Sequence, residues 1–318
     1  MADLILFCQL AVEIGTPLLF ATLGGILIEK SGNLNLGTEG MMMIGALAGF
    51  RTAYYTGNPA LAILSAGIGS MLLALIYAAL TVTFRTDQTV TGFAITIFGT
   101  GLSNFLGKSL QSFLLEGTFS AQVNASLVPF LRKMPVIGTI FFDQSFFVPT
   151  AILLAVLLYF YYKYSRPGLC IRMVGENPAS ADASGINVTL YKYVHIVAGG
   201  FLCGMGGAFL SIVYVPRWQD NITAGLGWIA VALVIFSTWN PLKAIGGAYL
   251  FGVLKALAIK FQNVTLTFGG LDVSLSSQIM DMIPYIMTII VLVITTLSRK
   301  RENQAPESLG RPYYREER

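Results

Sequence analysis

Residues 175–185 read Gly175-Glu176-Asn177-Pro178-Ala179-Ser180-Ala181-Asp182-Ala183-Ser184-Gly185 and stand between two long apolar runs, 147–164 and 193–215. Asn177 is of the type that caps a helix, because its side-chain oxygen accepts from the first free backbone N–H groups. Pro178 suits the first helical position, where its missing N–H leaves nothing unpaired. Gly185 suits the left-handed residue past a helix end. The spacing predicts a helix of two turns over 178–184, about 10 Å long. Its small side chains give it no apolar face to bury in a core. A short capped helix held between two membrane segments is shaped to be inserted into something else. The plainer reading is a connector that caps its neighbours, although loops of this length more often carry function.

Outward from this loop, the chain is too apolar for water. Of its 318 residues, 55% are hydrophobic and 11% charged, where soluble domains carry roughly 25% charge. A soluble globule, a disordered chain and a disulfide-rich scaffold are all excluded. The three cysteines, Cys8, Cys170 and Cys203, are widely spaced and suggest neither a disulfide framework nor a metal site. A span needs about 20 mainly apolar residues. Candidate spans lie at 4–28, 36–54, 60–84, 88–107, 147–164, 193–215, 225–240, 243–262 and 279–298, an all-α polytopic transmembrane protein of eight to ten crossings. The spans at 36–54 and 225–240 are short and Gly-rich, as re-entrant or broken helices are. The apolar runs are continuous, which disfavours a β-barrel. No basic stretch precedes residue 4, so no cleavable signal peptide is expected.

Basic residues set the orientation. With 163–192 and the tail placed in the cytoplasm, that side receives Lys30, Arg85, Lys163, Arg166, Arg172, Lys192, Lys243, Arg299, Lys300, Arg301, Arg311, Arg315 and Arg318. The other side or its span ends receive Arg51, Lys108, Arg132, Lys133, Arg217, Lys255 and Lys260, which is 7 against 13. The N-terminus is therefore expected outside and the C-terminus inside. A membrane domain over 1–298 would carry an external segment at 109–146 and a cytoplasmic loop at 163–192. The charged, Pro-containing tail 299–318 is expected to be mobile.

Polar residues inside the spans are few. A carboxylate there costs about 2.5–3.5 kcal/mol on insertion scales and so faces protein or water. Glu39 and Asn35 sit where a span begins, beside Gly37 and Gly40. They either line a solute path or hold the fold, with Asn35 as cap and Glu39 at the positive helix end; the second reading is the stronger. Glu13 is a lone acid in the first span. In Gln88-Thr89-Val90-Thr91-Gly92-Phe93-Ala94-Ile95-Thr96, Thr89 and Thr96 lie two turns apart, with Thr91 between and Thr100 four residues on. Such a face offers neutral donors and acceptors to sugar hydroxyls and base edges; hydroxyl packing between helices is the commoner use.

Signatures of catalysis are not found. Gly101 to Ser109 resembles a phosphate loop but has five residues between its glycines instead of four, and it lies in an apolar span. The chain is expected to be no enzyme, to hold no cofactor or metal, and to bind no nucleic acid. His195 starts a span, and Trp218, Trp228 and Trp239 lie near span ends, where interfacial anchors are expected.

Two segments carry a resemblance to a known family. Gly175-Glu176-Asn177-Pro178 with Ala181 and Gly185-Ile186, and Glu29-Lys30-Ser31-Gly32 followed by Asn35-Leu36-Gly37-Thr38-Glu39-Gly40, resemble the permeases of bacterial ABC importers. The group is the one handling nucleosides, ribose-type sugars and branched-chain amino acids, and the chain most resembles its shorter nucleoside-type permease. The resemblance covers nearly the whole chain, from Pro17 to Thr296, and the two motifs together are specific.

That resemblance implies a type II importer fold in a bacterial cytoplasmic membrane. It also implies a second, related but different permease, a cytoplasmic ATPase and an external substrate-binding lipoprotein. Coupling to the ATPase falls on Gly175, Glu176, Asn177, Pro178, Ala181 and Gly185; position 180 is Ser where Ala is frequent. The substrate path falls on Asn35, Glu39, Thr89, Thr91, Thr96 and Thr100. Thr96 stands where the nucleoside group carries Asn, which leaves ribose-like sugars, riboflavin or branched-chain amino acids as alternative solutes. An ion-coupled carrier is the alternative of another class, and the chain lacks the acidic relay it needs.

Overall fold

The structure is a computed structural model, and it describes residues 2–115, 138–142, 144–261, 265–268, 271–274, 282–283, 286–290, 293 and 304–315. Its helices are α1 (Ala2–Glu29), α2 (Thr38–Thr56), α3 (Pro59–Ala78), α4 (Gln88–Gly107), α5 (Phe147–Tyr164), α6 (Arg166–Glu176), α7 (Pro178–Ala183), α8 (Val188–Phe209), α9 (Leu226–Phe236) and α10 (Pro241–Phe261). A small antiparallel hairpin, β1 (Thr265–Phe268) and β2 (Leu271–Ser274), follows α10 and is an addition to the all-α expectation. The polytopic helical architecture is the expected one. Among the described residues, six helices are long and apolar enough to cross a membrane: Asp3–Glu29, Pro59–Thr83, Gln88–Leu110, Phe147–Tyr164, Val188–Tyr214 and Pro241–Phe261. Most of the candidate span 279–298, and residues 116–137 of the external segment, lie outside the described residues.

The core is built around α8, which packs against α1, α2 and α3, while α10 lies along the outer side of α1. Glycines let these helices touch backbone to backbone. A Cβ on Gly40 would stand 2.5 Å from the Ile95 carbonyl oxygen, and one on Gly99 would stand 2.7 Å from Gly40. Close small-residue crossings are how helices associate where lipid removes the hydrophobic drive.

The two short Gly-rich candidate spans are where the fold departs from full crossings. Because Gly40 packs on Ile95 and Thr96, the first turn of α2 lies level with the middle of α4. The preceding non-helical residues climb along α4. Leu34 N donates to Gln88 Oε1 at 2.6 Å, and Thr96 Oγ1 donates to the Leu36 carbonyl at 2.8 Å. The Tyr77 hydroxyl donates to the Leu34 carbonyl. Non-helical backbone at membrane depth is tolerated when protein supplies its partners in this way. α9 has 11 residues, about 16 Å of helix and half of the roughly 30 Å core. It begins after a run of left-handed residues, with φ of +52° at Asn221, +44° at Ala224 and +82° at Gly225.

One end of the bundle gathers the basic residues assigned above to the cytoplasm. Lys30, Lys163, Arg172 and Lys243 border one cavity there, and Arg85, Lys192 and Arg315 border another. The opposite end holds the start of α1, where Gln9 Nε2 donates to the Thr139 carbonyl and Gln144 Nε2 donates to the Gln9 carbonyl.

The expected mobility of the tail is overturned for residues 304–315. Ser308 N and Oγ both donate to the Gly175 carbonyl, at 3.0 and 2.6 Å, and Pro306 and Ser308 are buried. Tyr313 OH donates to Asp182 Oδ2 at 2.9 Å, and Arg315 Nε stands 3.1 Å from the same oxygen. The tail's charge made it look solvated, but a serine, a proline and two tyrosines give it surfaces with which to dock.

Candidate functional site

The loop that opens the sequence reading folds largely as its residues dictate. Asn177 Oδ1 accepts from Ser180 N at 3.0 Å, Pro178 is the first helical residue of α7, and Gly185 takes φ of +80°. The Gly185 and Ile186 amides close the helix end on the Asp182 and Ala181 carbonyls, at 3.0 and 3.1 Å. The loop also contains a second helix, α6, capped by Ser165, whose side-chain oxygen accepts from Gly168 N at 3.0 Å. Gly175 is required where it is, since a Cβ there would meet the Lys30 carbonyl oxygen. Lys30 lies against this loop; burial, with Arg172 beside it, holds its ammonium below the usual lysine range, and Glu176 opposes that shift.

The loop helix has an inner face after all. Ala181 is fully buried, so it packs inward and leaves Ser180, Ala183 and Ser184 as the exposed small residues of the turn. Glu176 and Asn177 are exposed beside them.

A second junction forms inside the bundle, where the half-helix α9 starts against the first turn of α2. Glu39, 6% exposed, accepts from Thr223 Oγ1 at 2.5 Å and Gly225 N at 3.0 Å through Oε1, and from Gly227 N at 2.6 Å through Oε2. The carboxylate thus satisfies orphan N–H groups of one helix end and sits in the first turn of another, both at the positive pole of a helix dipole. Gly227 is needed for that approach, because its Cβ would stand 2.5 Å from the Glu39 Cα. Asn35 is not the cap of α2, whose N-cap is Gly37. Its Oδ1 accepts from Gly37 N at 3.1 Å and its Nδ2 donates to Thr38 Oγ1 at 2.9 Å, a turn that aims the helix two residues early.

The threonines of α4 divide. Thr96 and Thr91 are buried, Thr100 is half-buried and Thr89 is exposed. Three of the hydroxyls are bonded within the protein: Thr96 to the Leu36 carbonyl, Thr91 to the Asp87 carbonyl at 2.6 Å, and Thr100 to the Thr96 carbonyl at 2.8 Å.

Three residues expected at the interface lie inside protein. Trp239 Nε1 donates to the fully buried Glu29 carboxylate at 2.7 Å, and Trp218 is buried over Gly107. His195 is 4% exposed; in the neutral ring Nδ1 donates to the Tyr191 carbonyl at 2.7 Å, which leaves Nε2 to accept from Tyr161 OH at 2.9 Å. Proximity to a span end did not distinguish lipid-facing rings from buried ones. The sequence reading also missed Thr223, Gly225 and Gly227, although Gly225-Leu226-Gly227 before an apolar run is a visible start signal.

The chain matches the family model described as branched-chain amino acid transport system / permease component over residues 10–292. It is 35% identical to the nucleoside ABC transporter permease NupC of Lactococcus lactis, over 88% of each chain. It is 33% identical to the guanosine ABC transporter permease NupQ of Bacillus subtilis, over 95% of this chain and 94% of that one. It is also 35% identical, over 96% of both, to TsgC13 of Haloferax volcanii, assigned provisionally as a glucose ABC transporter permease. The broken helix pair around Glu39 and the capped loop helix thus occur in a chain that belongs to the branched-chain amino acid transport system / permease component family, as a permease subunit of an ABC transporter.

Proposed function

We propose that this chain forms the nucleoside path of an ATP-driven uptake system in a bacterial cytoplasmic membrane. The observation that carries the solute is the likeness to two nucleoside-type permeases, at 35% and 33% identity, over 88% and 95% of this chain. A related but different permease completes the path. Twin cytoplasmic ATPases act on it from below, and an external lipoprotein delivers the solute. The end that bears Lys30, Arg85 and Lys192 faces the cytoplasm, so α6, α7 and the tail meet the ATPase there. Gly175, Glu176, Asn177, Pro178, Ala181 and Gly185 shape the coupling element. Ser180 and Ala183 are the exposed positions a groove would touch.

The solute path runs along the α4 face of Thr89, Thr91, Thr96 and Thr100 and past the α2–α9 junction at Asn35 and Glu39. Thr96 acts there through the Leu36 segment, because its hydroxyl is already bonded to that backbone. Glucose is the second reading, on the 35% identity to TsgC13. Uptake of labelled guanosine, adenosine and glucose, in cells deleted for their own carriers and given the whole system, decides between them. Guanosine or adenosine uptake that collapses when this chain is deleted is the expected result. Uptake of glucose alone would replace the nucleoside reading.

A further inference from the structure

A cavity of about 360 Å³ opens at the basic end of the bundle, between the tail, the turn after α7 and the last turn of the α3 span. Its charged lining is Arg85, Lys192 and Arg315, with Asp182 the one acid among them. Lys192 is 3% exposed, and no described residue offers its ammonium a hydrogen-bond or ion-pair partner. An ammonium taken out of water without a counter-charge is strongly disfavoured. Among the described residues no counter-charge answers Lys192, whose positive charge borders the cavity.

The other groups agree with that sign. Arg85 holds φ of +56°, a conformation uncommon outside glycine, and its guanidinium lies 4.8 Å from the centre of the Tyr314 ring. Stacking of that kind leaves the in-plane donors of the fork usable. Arg315 gives its Nε to Asp182, and its two terminal nitrogens remain as further donors. Thr189, in the first turn of α8, brings a hydroxyl and the positive end of a helix of 22 residues. Three cations less one carboxylate leave a charge of +2, which a phosphate dianion matches.

We propose that this cavity binds a phosphate group, carried either by a small soluble phosphate or by the headgroup of an anionic lipid. The bound group bridges Lys192 on α8, Arg85 at the α3–α4 corner and Arg315 on the tail. Because Arg315 and Tyr313 also hold Asp182 on α7, occupancy fixes the tail against the coupling loop.

The test uses the purified full chain in nanodiscs of phosphatidylcholine alone and of phosphatidylcholine with phosphatidic acid. The thermal midpoint is followed against inorganic phosphate at constant ionic strength. A saturable rise with phosphate in the neutral discs identifies a soluble phosphate; a rise on adding phosphatidic acid alone identifies the lipid headgroup. In either arm Lys192→Met should bind about tenfold more weakly, the loss of one charge-assisted contact. Without ligand that variant should melt no lower than the native chain, because it removes an unpaired buried charge. Arg85→Gln, at an exposed position, repeats the comparison should Lys192→Met fold poorly. No rise in either arm overturns the proposal, as does an equal rise in the native chain and in the variant that folds.

Discussion

The Oε2 atom of Glu39 accepts the Gly227 amide proton at 2.6 Å across 188 residues of sequence, joining the first turn of α2 to the first turn of α9. Both helices begin inside the bundle, so their free N–H groups have no water to turn to. The Glu39 carboxylate, itself in the first turn of α2, serves those of α9 through the Gly225 and Gly227 amides, with the Thr223 hydroxyl completing its shell, while Asn35 Oδ1 takes the Gly37 amide at the start of α2. A lone intramembrane acid is thereby a structural pin, whatever passes beside it.

Glu39→Gln preserves shape but removes the charge and turns one acceptor into a donor facing the Gly227 amide. A hydrogen bond to a charged group contributes about 1.5–3 kcal/mol. The variant should therefore show a clear fall in thermal midpoint in detergent, with uptake of every solute reduced together. A midpoint within error of the native chain would mean the carboxylate does not hold α9.

Thr96→Val tests the second anchor of the broken segment. The substitution keeps the volume and strips the donor from the Leu36 carbonyl, leaving a half-buried acceptor unpaired at a cost of about 1 kcal/mol or more. Lower stability and a parallel loss of guanosine and adenosine uptake are expected. Thr96→Ser, which retains the hydroxyl, should recover both. A changed ratio between solutes at unchanged stability would instead place this hydroxyl directly against the solute.

What the sequence made legible was local. Asn177, Pro178 and Gly185 act on atoms within four residues of themselves, so their roles could be read without a fold. The two Gly-rich candidate spans could also be seen as irregular. Which face of the loop helix points inward could not, because α7 carries side chains too uniformly small for a periodic pattern to show. The partner of Glu39 lies in another half of the chain, and no spacing rule reaches it. The docked tail was missed for a different reason. Composition reports how much apolar surface a segment has, while the tail is held by a few bonds of its Ser308 and Tyr313 to the loop. Helix α6 was within reach: Ser165 as cap, Pro167 in the first turn, and Ile171 and Val174 buried three apart.

The exposed side of α7 separates docking from folding. Ala183→Trp projects an indole outward from an exposed position and should leave the permease intact while it no longer copurifies with its ATPase. Ala181→Trp forces the same ring into a fully buried site, where overpacking costs about 1–3 kcal/mol, and should lower the midpoint of the isolated permease as well. Asn177→Ala removes the cap at about 0.5–2 kcal/mol of local helix stability. If Ala183→Trp copurifies and supports substrate-stimulated hydrolysis as the native chain does, the outward face of α7 is not what the ATPase grips.

The tail offers the most direct test of how the loop is held. Its Ser308 puts two donors on the Gly175 carbonyl, one of the orphan acceptors at the C-terminal end of α6. Tyr313 and Arg315 take hold of Asp182, five residues past the Asn177 cap of α7. These contacts hold both helices of the loop, with Ser308 also set against Gly32 just past the end of α1. Deleting residues 304–318 should therefore leave the spans folded but loosen α6 and α7. Amide exchange over 170–186 should rise severalfold while that over α8 stays unchanged. Ser308→Ala together with Tyr313→Phe should reproduce much of the effect with every charge kept. A loosened loop transmits less of a rigid-body push, so substrate stimulation of hydrolysis should fall in both variants while their ATPase still copurifies. Unaltered exchange over 170–186 in the truncated chain would show that α6 and α7 stand without the tail, and the clamp would then have no part in coupling.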